Sequence, residues 1–207
     1  MTKYSYDYPR PALTADIIMF SYNNNKLLVL LIERKHMPFK GKWACPGGFV
    51  DIDETAEDCA YRELREETGL ETEDLSQLIT VSTLGRDPRG RTVTVFFYGF
   101  VSYNSADIQA GDDAKKARWF PVDKIPSLAF DHGEIIHIAL ERLKELIQLK
   151  TFGRKILPEY FSLSDLEQLF NNILKEKETI GKYIDKYIKY GIIRRIDSKS
   201  GLYSFIS

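Results

Sequence analysis

The sequence predicts an α+β fold, a mixed sheet with helices packed on it, followed by a small module of two helices and a hairpin. Three observations carry that expectation. Five strand-like apolar runs fall within the first 122 positions, one helical segment around residues 55–68 interrupts them, and beyond about residue 150 the pattern changes to short amphipathic helices.

Taken in order, "ALTADIIMFSY" and "NNNKLLVLLIER" are β-rich runs separated by an Asn-rich turn, which signals a hairpin. Further strands are expected at "LITVSTL", "TVTVFFYGFV" and "KARWFPV". A closing helix follows, because Ile135, Ile136, Ala139, Leu140, Leu143 and Ile147 recur at helical spacing, with Asp131 placed to cap it. The body, residues 1–150, ends there. In residues 151–207, Ser162 or Ser164 opens a helix with Leu166, Leu169, Phe170 and Ile173 inward. A second helix turns Ile180, Ile184, Tyr187 and Ile188 inward and stops near Gly191. The segment "IIRRIDSKSGLYSFI" then alternates like a hairpin around Ser198 to Gly201, and helix, helix, hairpin is the order of a winged helix.

Composition bounds the function. With 43% hydrophobic and 29% charged residues the chain is of the ordinary globular class. No apolar run approaches a membrane span, and "MTKYSYDYPRP" lacks the apolar core of a secretory signal, so a cytoplasmic location is expected. Cys45 and Cys59, the only cysteines, support neither a disulfide framework nor a zinc quartet. The net charge of -1 hides an asymmetry: 19 basic against 23 acidic residues over 1–150, but 10 against 7 over 151–207.

The densest chemistry lies in "GGFVDIDETAEDCAYRELREETGL", Gly47 to Leu70. On a helix, Glu63, Glu66 and Glu67 stand at i, i+3 and i+4 and project from one side. Like charges so placed repel, which leaves two readings: a solvated acidic face, or a site for a divalent cation that takes oxygen ligands. Arg62 has the planar fork that fixes a carboxylate, and Glu54 is its expected partner across the turn. Gly47 and Gly48 let the preceding loop approach the helix closely enough for a carbonyl to join a metal shell.

The full spacing is Gly48, five residues, Glu54, seven residues, then Arg62, Glu63, Leu64, a spacer, Glu66, Glu67, a spacer, Gly69 and Leu70. At each of these positions the sequence resembles the signature of the Nudix hydrolases. That resemblance implies a mixed sheet sandwiched between helices, and hydrolysis of a nucleoside diphosphate linked to another group. It implies Mg²⁺ or Mn²⁺ held by Glu63, Glu66, Glu67 and the Gly48 carbonyl, with Arg62 and Glu54 orienting the helix. A further acidic residue, Asp112 or Asp113 in "AGDDAKKARWF", is implied as base or extra ligand. "YPRPALTADIIMF", "GRDPRGRTVTVFFY" and "DDAKKARWFPVDKIPSLAFDH" look like the ADP-ribose pyrophosphatase branch, with an oxidised nucleoside triphosphate a weaker fit. Arg86, Asp87, Arg89 and Arg91 are candidates to hold phosphates or a ribose, or else Arg86 and Asp87 simply brace a turn.

A Nudix body followed by "ILPEYFSLSDLEQLF" and a winged-helix pattern also resembles the Nudix-related transcriptional regulators, in which the body senses a ligand and a dimer binds operator DNA. Lys182, Lys186, Lys189, Arg194, Arg195 and Lys199 are the candidate phosphate contacts. Regulators of that family often lose parts of the catalytic signature. Here it is intact, which favours an enzyme.

Overall fold

The computed structural model describes residues 6–103, 108, 114–147, 152–154, 156–175, 177–197 and 200–206. Two long strands, β1 (Ala12–Asn23) and β2 (Lys26–Arg34), form the expected hairpin. Asn24 and Asn25 make its two-residue turn with φ of 46° and 59°, a conformation that asparagine tolerates better than most side chains. After the short strands β3 (Trp43–Ala44) and β4 (Gly47–Phe49) come α1 (Ala56–Thr68), β5 (Leu75–Val81), β6 (Thr92–Phe100), β7 (Ala114–Pro121) and α2 (His132–Leu146).

Among the described residues, seven strands make one mixed sheet. β1 runs parallel to β6 over residues 12–20, and every other pairing in the sheet is antiparallel. On its other edge β1 changes partner, pairing with β4 over residues 14–16 and with β2 over residues 20–23. The glycines expected in a loop are therefore strand residues, Gly47 opposite Asp16 and Gly48 opposite Ala15. Glycine has poor strand propensity, and the three-residue ladder exists only because β1 supplies a partner.

The period-2 alternation of β1 divides the interior. Ala15, Ile17 and Met19 pack with Cys59, Ala60 and Leu64 of α1, whereas Ile18 and Phe20 point into the cluster that holds α2. Within α2, Ile135, Ile136, Ala139 and Leu143 are buried, as is Ile147 just beyond it. Asp131 occupies the position that caps this helix, yet its side chain makes no capping bond. Its carboxylate is claimed by Arg86 instead.

The C-terminal segment contains β8 (Phe161–Ser162), α3 (Leu163–Leu174), α4 (Lys177–Lys189), β9 (Ile193–Arg195) and β10 (Leu202–Phe205), with the strands in the order β8, β10, β9. Ser162 and Asp165 close a reciprocal capping box at α3, and Gly191 at φ 61° follows α4. Leu166, Leu169, Phe170 and Ile173 are buried as expected, and so are Ile180, Ile184 and Tyr187. Ile188, expected inward, is 44% exposed. It lies one residue, or 100° of rotation, past Tyr187, which carries it off the buried stripe.

The same apolar cluster runs from Phe20 and Leu27 of the sheet through α2 to Phe170 and Tyr187. Polar bonds reinforce it. Asn172 accepts from the Leu27 N–H at 3.2 Å and donates to the Asn25 carbonyl at 3.0 Å, and the buried Tyr187 hydroxyl donates to the Ile147 carbonyl at 2.8 Å. Among the described residues, no helix is long and apolar enough to cross a membrane.

Candidate functional site

Helix α1 starts at a Thr55–Asp58 capping box and ends at Gly69, whose φ of 72° suits a left-handed cap. Burying Cys59, Ala60 and Leu64 against β1 fixes its rotation, which brings Glu63 and Glu67 to the Gly47–Gly48 strand and leaves Glu66 55% exposed. Arg62 staples this arrangement. Its Nε and Nη2 donate to Glu54 at 3.0 and 2.6 Å, Nη2 also reaches the Phe49 carbonyl at 3.2 Å, and Nη1 donates to Glu63 at 2.7 Å and Glu66 at 3.1 Å. Hydrogen bonds from Arg62 and from the Asp51 N–H draw the Glu54 carboxyl down to about 2. The expected Arg62–Glu54 pair is thus formed bidentately.

The other carboxylates are strained the opposite way. Burial pushes Glu67 up to about 8, although it accepts from the Gly47 N–H at 2.8 Å. Burial raises Glu63 as well, against the pull of Arg62. Gly48 leaves no room for a side chain, since a Cβ there would lie 2.2 Å from Glu63 Oε1. Among the described residues no three His, Cys, Asp or Glu side chains converge as a ready-made cage, and Arg62 Nη1 bridges Glu63 and Glu66. The donor set still fits a hard divalent cation: three carboxylates from one helical turn, two with protonation raised by burial, facing a glycine backbone.

A cleft of about 240 Å³ opens where β1 passes from β4 to β2, lined from one side by Glu63, Glu67 and Gly48 and from the other by Asp16, Thr94 and His132. Arg86 and Asp87 do not pair with each other. Arg86, its side chain 7% exposed, grips Asp131 at 2.6 and 2.8 Å and donates to the Thr94 hydroxyl, which in turn meets Thr14 at 2.6 Å. Asp87 accepts from Arg89 at 2.7 Å, and the Arg89 guanidinium lies 4.8 Å from the Phe49 ring centre. Arg86, Asp87 and Arg89 line the cleft. Arg91 instead donates to the Ser82 carbonyl at 2.5 Å. Asp113, its neighbour Asp112, and Lys199 lie outside the described residues.

Sequence reasoning missed Asp16, Arg34, Phe130 and His132, all of which line the cleft. A signal existed for the first: Asp16 is the one charged residue in the apolar run "ALTADIIMFSY". Burial holds it at about 7, with Arg86 opposing. Cys45, also on the cleft, has its thiol pushed well up by burial and stays protonated.

At the far end of the chain Lys182, Lys186 and Lys189 share the exposed side of α4, opposite Ile180, Ile184 and Tyr187. Arg194 and Arg195 are exposed on β9. This basic surface is carried by α4 and β9 of the C-terminal segment.

Residues 10–141 match the NUDIX domain. The ADPR responsive transcriptional repressor NtrR of Acinetobacter baylyi is 31% identical over 92% of this chain and 78% of its own length. The ADP-ribose pyrophosphatase of Methanocaldococcus jannaschii is 43% identical over 62% of this chain and 73% of its own. The crystal structure of Shewanella oneidensis NrtR complexed with a 27mer DNA superposes with a TM-score of 0.76 at 31% identity, covering 94% of this chain and 93% of that one.

Two expectations test this geometry. Gly48→Ala displaces the mobile end of Glu63 and leaves the fold standing, whereas Gly47→Ala, with φ 151° and a Cβ 2.4 Å from the Ala15 carbonyl, unfolds at a lower denaturant concentration. Chemical denaturation of both variants distinguishes these outcomes. The second expectation concerns pH. Asp16 and Glu67 are raised from 3.8 and 4.5 to about 7 and 8, so above pH 4.5 the unfolded chain gives up protons that the folded chain keeps. Stability therefore falls as pH rises. Neutral His132, held at about 3 by burial, acts in the opposite sense up to pH 6.5, so the fall is steepest from about 6.5 to 7, where both carboxylates act unopposed, and ends near 8. Denaturation midpoints in chelator across that range measure it, and Glu67→Gln flattens the slope.

Proposed function

The chain belongs to the Nudix family, and from that membership we propose that it is a Mg²⁺- or Mn²⁺-dependent hydrolase of ADP-ribose or a related nucleoside diphosphate derivative. Water and ADP-ribose give AMP and ribose 5-phosphate. The observation that carries the reading is the complete carboxylate set on α1, held against Gly48 at the cleft by the Arg62–Glu54 pair. The 43% identity to an ADP-ribose pyrophosphatase supports the substrate class.

In this reading Glu63, Glu66, Glu67 and the Gly48 carbonyl are the metal ligands. A bound ion would supply Lewis-acid polarisation of the diphosphate and an activated water. The chain's own groups do the positioning. Arg62 and Glu54 tie the β4 connection to α1, so the carboxylates meet the diphosphate from a fixed helix. Arg89, seated on Phe49 at the rim, offers a cation to a phosphate or ribose. Asp113, or its neighbour Asp112, ahead of β7, is proposed as the base.

A second reading runs alongside the first: residues 1–150 form the hydrolase domain, and residues 151–207 a winged helix that binds operator DNA as part of a homodimer, released or secured by the same ligand. The exposed lysines of α4 and the resemblance to NtrR over nearly the whole chain favour it. Phosphate contacts are assigned to Lys182, Lys186, Lys189, Arg194, Arg195 and Lys199.

With Mg²⁺ present, wild-type protein releases AMP from ADP-ribose, and Glu66→Gln and Glu67→Gln each reduce the rate by at least about 100-fold without loss of fold. Chromatography of the products reads this, and normal turnover in both variants would refute the metal assignment. For the tail, a gel shift with DNA from upstream of the gene is expected, altered by ADP-ribose. Replacing Lys182, Lys186 and Lys189 by alanine weakens it and lowers the salt dependence, by about 0.9 in slope for each phosphate that the protein no longer neutralises. A triple variant that shifts DNA as well as wild type at every salt concentration removes α4 from the interface.

A further inference from the structure

Two side chains in the cleft carry polar atoms that the fold does not use. His132 is 4% exposed, its ring lying edge-on to Phe96 with centres 5.6 Å apart and tilted against Phe130 at 5.3 Å. Its Nδ1 accepts from the Cys45 N–H at 3.0 Å. An imidazole that accepts at Nδ1 and is neutral carries its proton on Nε2. Burial keeps the ring neutral, with its titration moved down to about 3, so this tautomer persists at any working pH. No described residue accepts from Nε2, and the ring lines the cleft. Asp16 is the second case. It is 9% exposed, lines the same cleft, and neither carboxylate oxygen has a hydrogen-bond partner among the described residues. Arg86, the cation whose charge acts most strongly on it, is already committed to Asp131 and Thr94.

Among the described residues the fully enclosed side-chain polar atoms without a partner are Thr92 Oγ1 and Trp119 Nε1, so the free atoms of Asp16 and His132 open onto the cleft, where a ligand can take the place of water. We propose that Asp16 and His132 form a hydroxyl-reading floor that binds a ribose of the nucleoside diphosphate ligand. Asp16 accepts from a sugar hydroxyl, and His132 Nε2–H donates to that oxygen or to its vicinal neighbour. The inference rests on the ligand class given under Proposed function. A phosphate fits this floor poorly, because it only accepts hydrogen bonds and would face Asp16, with Glu63 and Asp131 near enough to raise the Asp16 pKa. A hydroxyl both donates and accepts, which matches the pair. Location favours the sugar over the base. A Cβ on Gly47 would lie 2.4 Å from Asp16 Oδ1, and a Cβ on Gly48 would lie 2.2 Å from Glu63 Oε1. The floor thus sits next to the carboxylates assigned to the metal that would polarise the diphosphate, where a directly attached ribose would lie.

The test uses the full chain in chelator, so that binding is read without turnover. Calorimetry compares ADP-ribose with an analogue lacking a hydroxyl on the terminal ribose, one lacking it on the adenosine ribose, and one with hypoxanthine in place of adenine. Wild type is expected to lose about tenfold in affinity for one of the two deoxy analogues, and which one identifies the ribose. His132→Phe, which keeps the aromatic packing, and the isosteric Asp16→Asn each bind ADP-ribose about tenfold more weakly and no longer distinguish that analogue from the parent. Should His132→Phe fail to fold, Asp16→Asn decides. Variants that keep wild-type affinity, or that lose discrimination against the hypoxanthine analogue instead, overturn the floor. Failure of wild type to bind ADP-ribose at all overturns the ligand class, and the floor with it.

Discussion

The structure depends on how β1 divides one edge between two partners. Its other edge is paired with β6 over residues 12–20, which anchors it at the centre of the sheet. On the divided edge β4 takes residues 14–16 and β2 takes residues 20–23, so the two partners must separate between those points. A continuous ladder would have left a flat, closed surface. The separation makes a cleft through which side chains from both layers meet: Glu63 and Glu67 from α1, and His132 from the start of α2. Glycine at positions 47 and 48 is what allows the short ladder and the helix to approach so closely.

The cleft concentrates acidic groups that would not stay together unaided. Asp16, Glu63, Glu67, Asp87 and Asp131 all reach it or border it, and burial raises the first three. The fold offsets this with paired cations, Arg62 on Glu54, Arg86 on Asp131 and Arg89 on Asp87. Each pairing leaves its carboxylate below the ordinary value, although burial alone would raise Asp87 and Asp131. Two kinds of carboxylate therefore lie side by side: those lowered by a paired arginine, which brace the walls, and those raised by burial, of which Glu63 still meets Arg62, Glu67 meets the Gly47 N–H and Asp16 has no hydrogen-bond partner among the described residues.

The C-terminal segment is not a loosely tethered addition. Phe170 and Tyr187 belong to the same apolar cluster as Phe20 and Leu27, and Asn172 bonds to Asn25 in the β1–β2 turn and to Leu27 just after it. Helix α2 begins at the cleft with His132, and the carbonyl of Ile147 past its other end accepts from Tyr187 of α4. One element thus borders the cleft at its start and meets α4, the helix bearing the exposed lysines, just past its end.

Much of this was legible in the sequence. Periodicity located each long strand and helix, although β5 runs Leu75–Val81 where the strand was expected over 78–84, and the spacing from Gly48 to Leu70 located α1 and the Arg62–Glu54 pair, because these interactions lie within one short stretch of chain. The short strands β3 and β4 were not legible, nor was the exposure of Ile188. For Arg86 the sequence left two readings open, a phosphate or ribose contact and a brace with Asp87. A local reading pairs it with adjacent Asp87, whereas the folded chain supplies Asp131 from 45 residues away. Asp16 and His132 meet only because β1 and the start of α2 border one cleft. Sequence alone determined which elements form and which stretch carries the carboxylates, since those follow from local pattern and spacing. Tertiary structure alone decided which charges are neutralised and which polar atoms remain for a ligand, since partners distant in the chain set both burial and pairing.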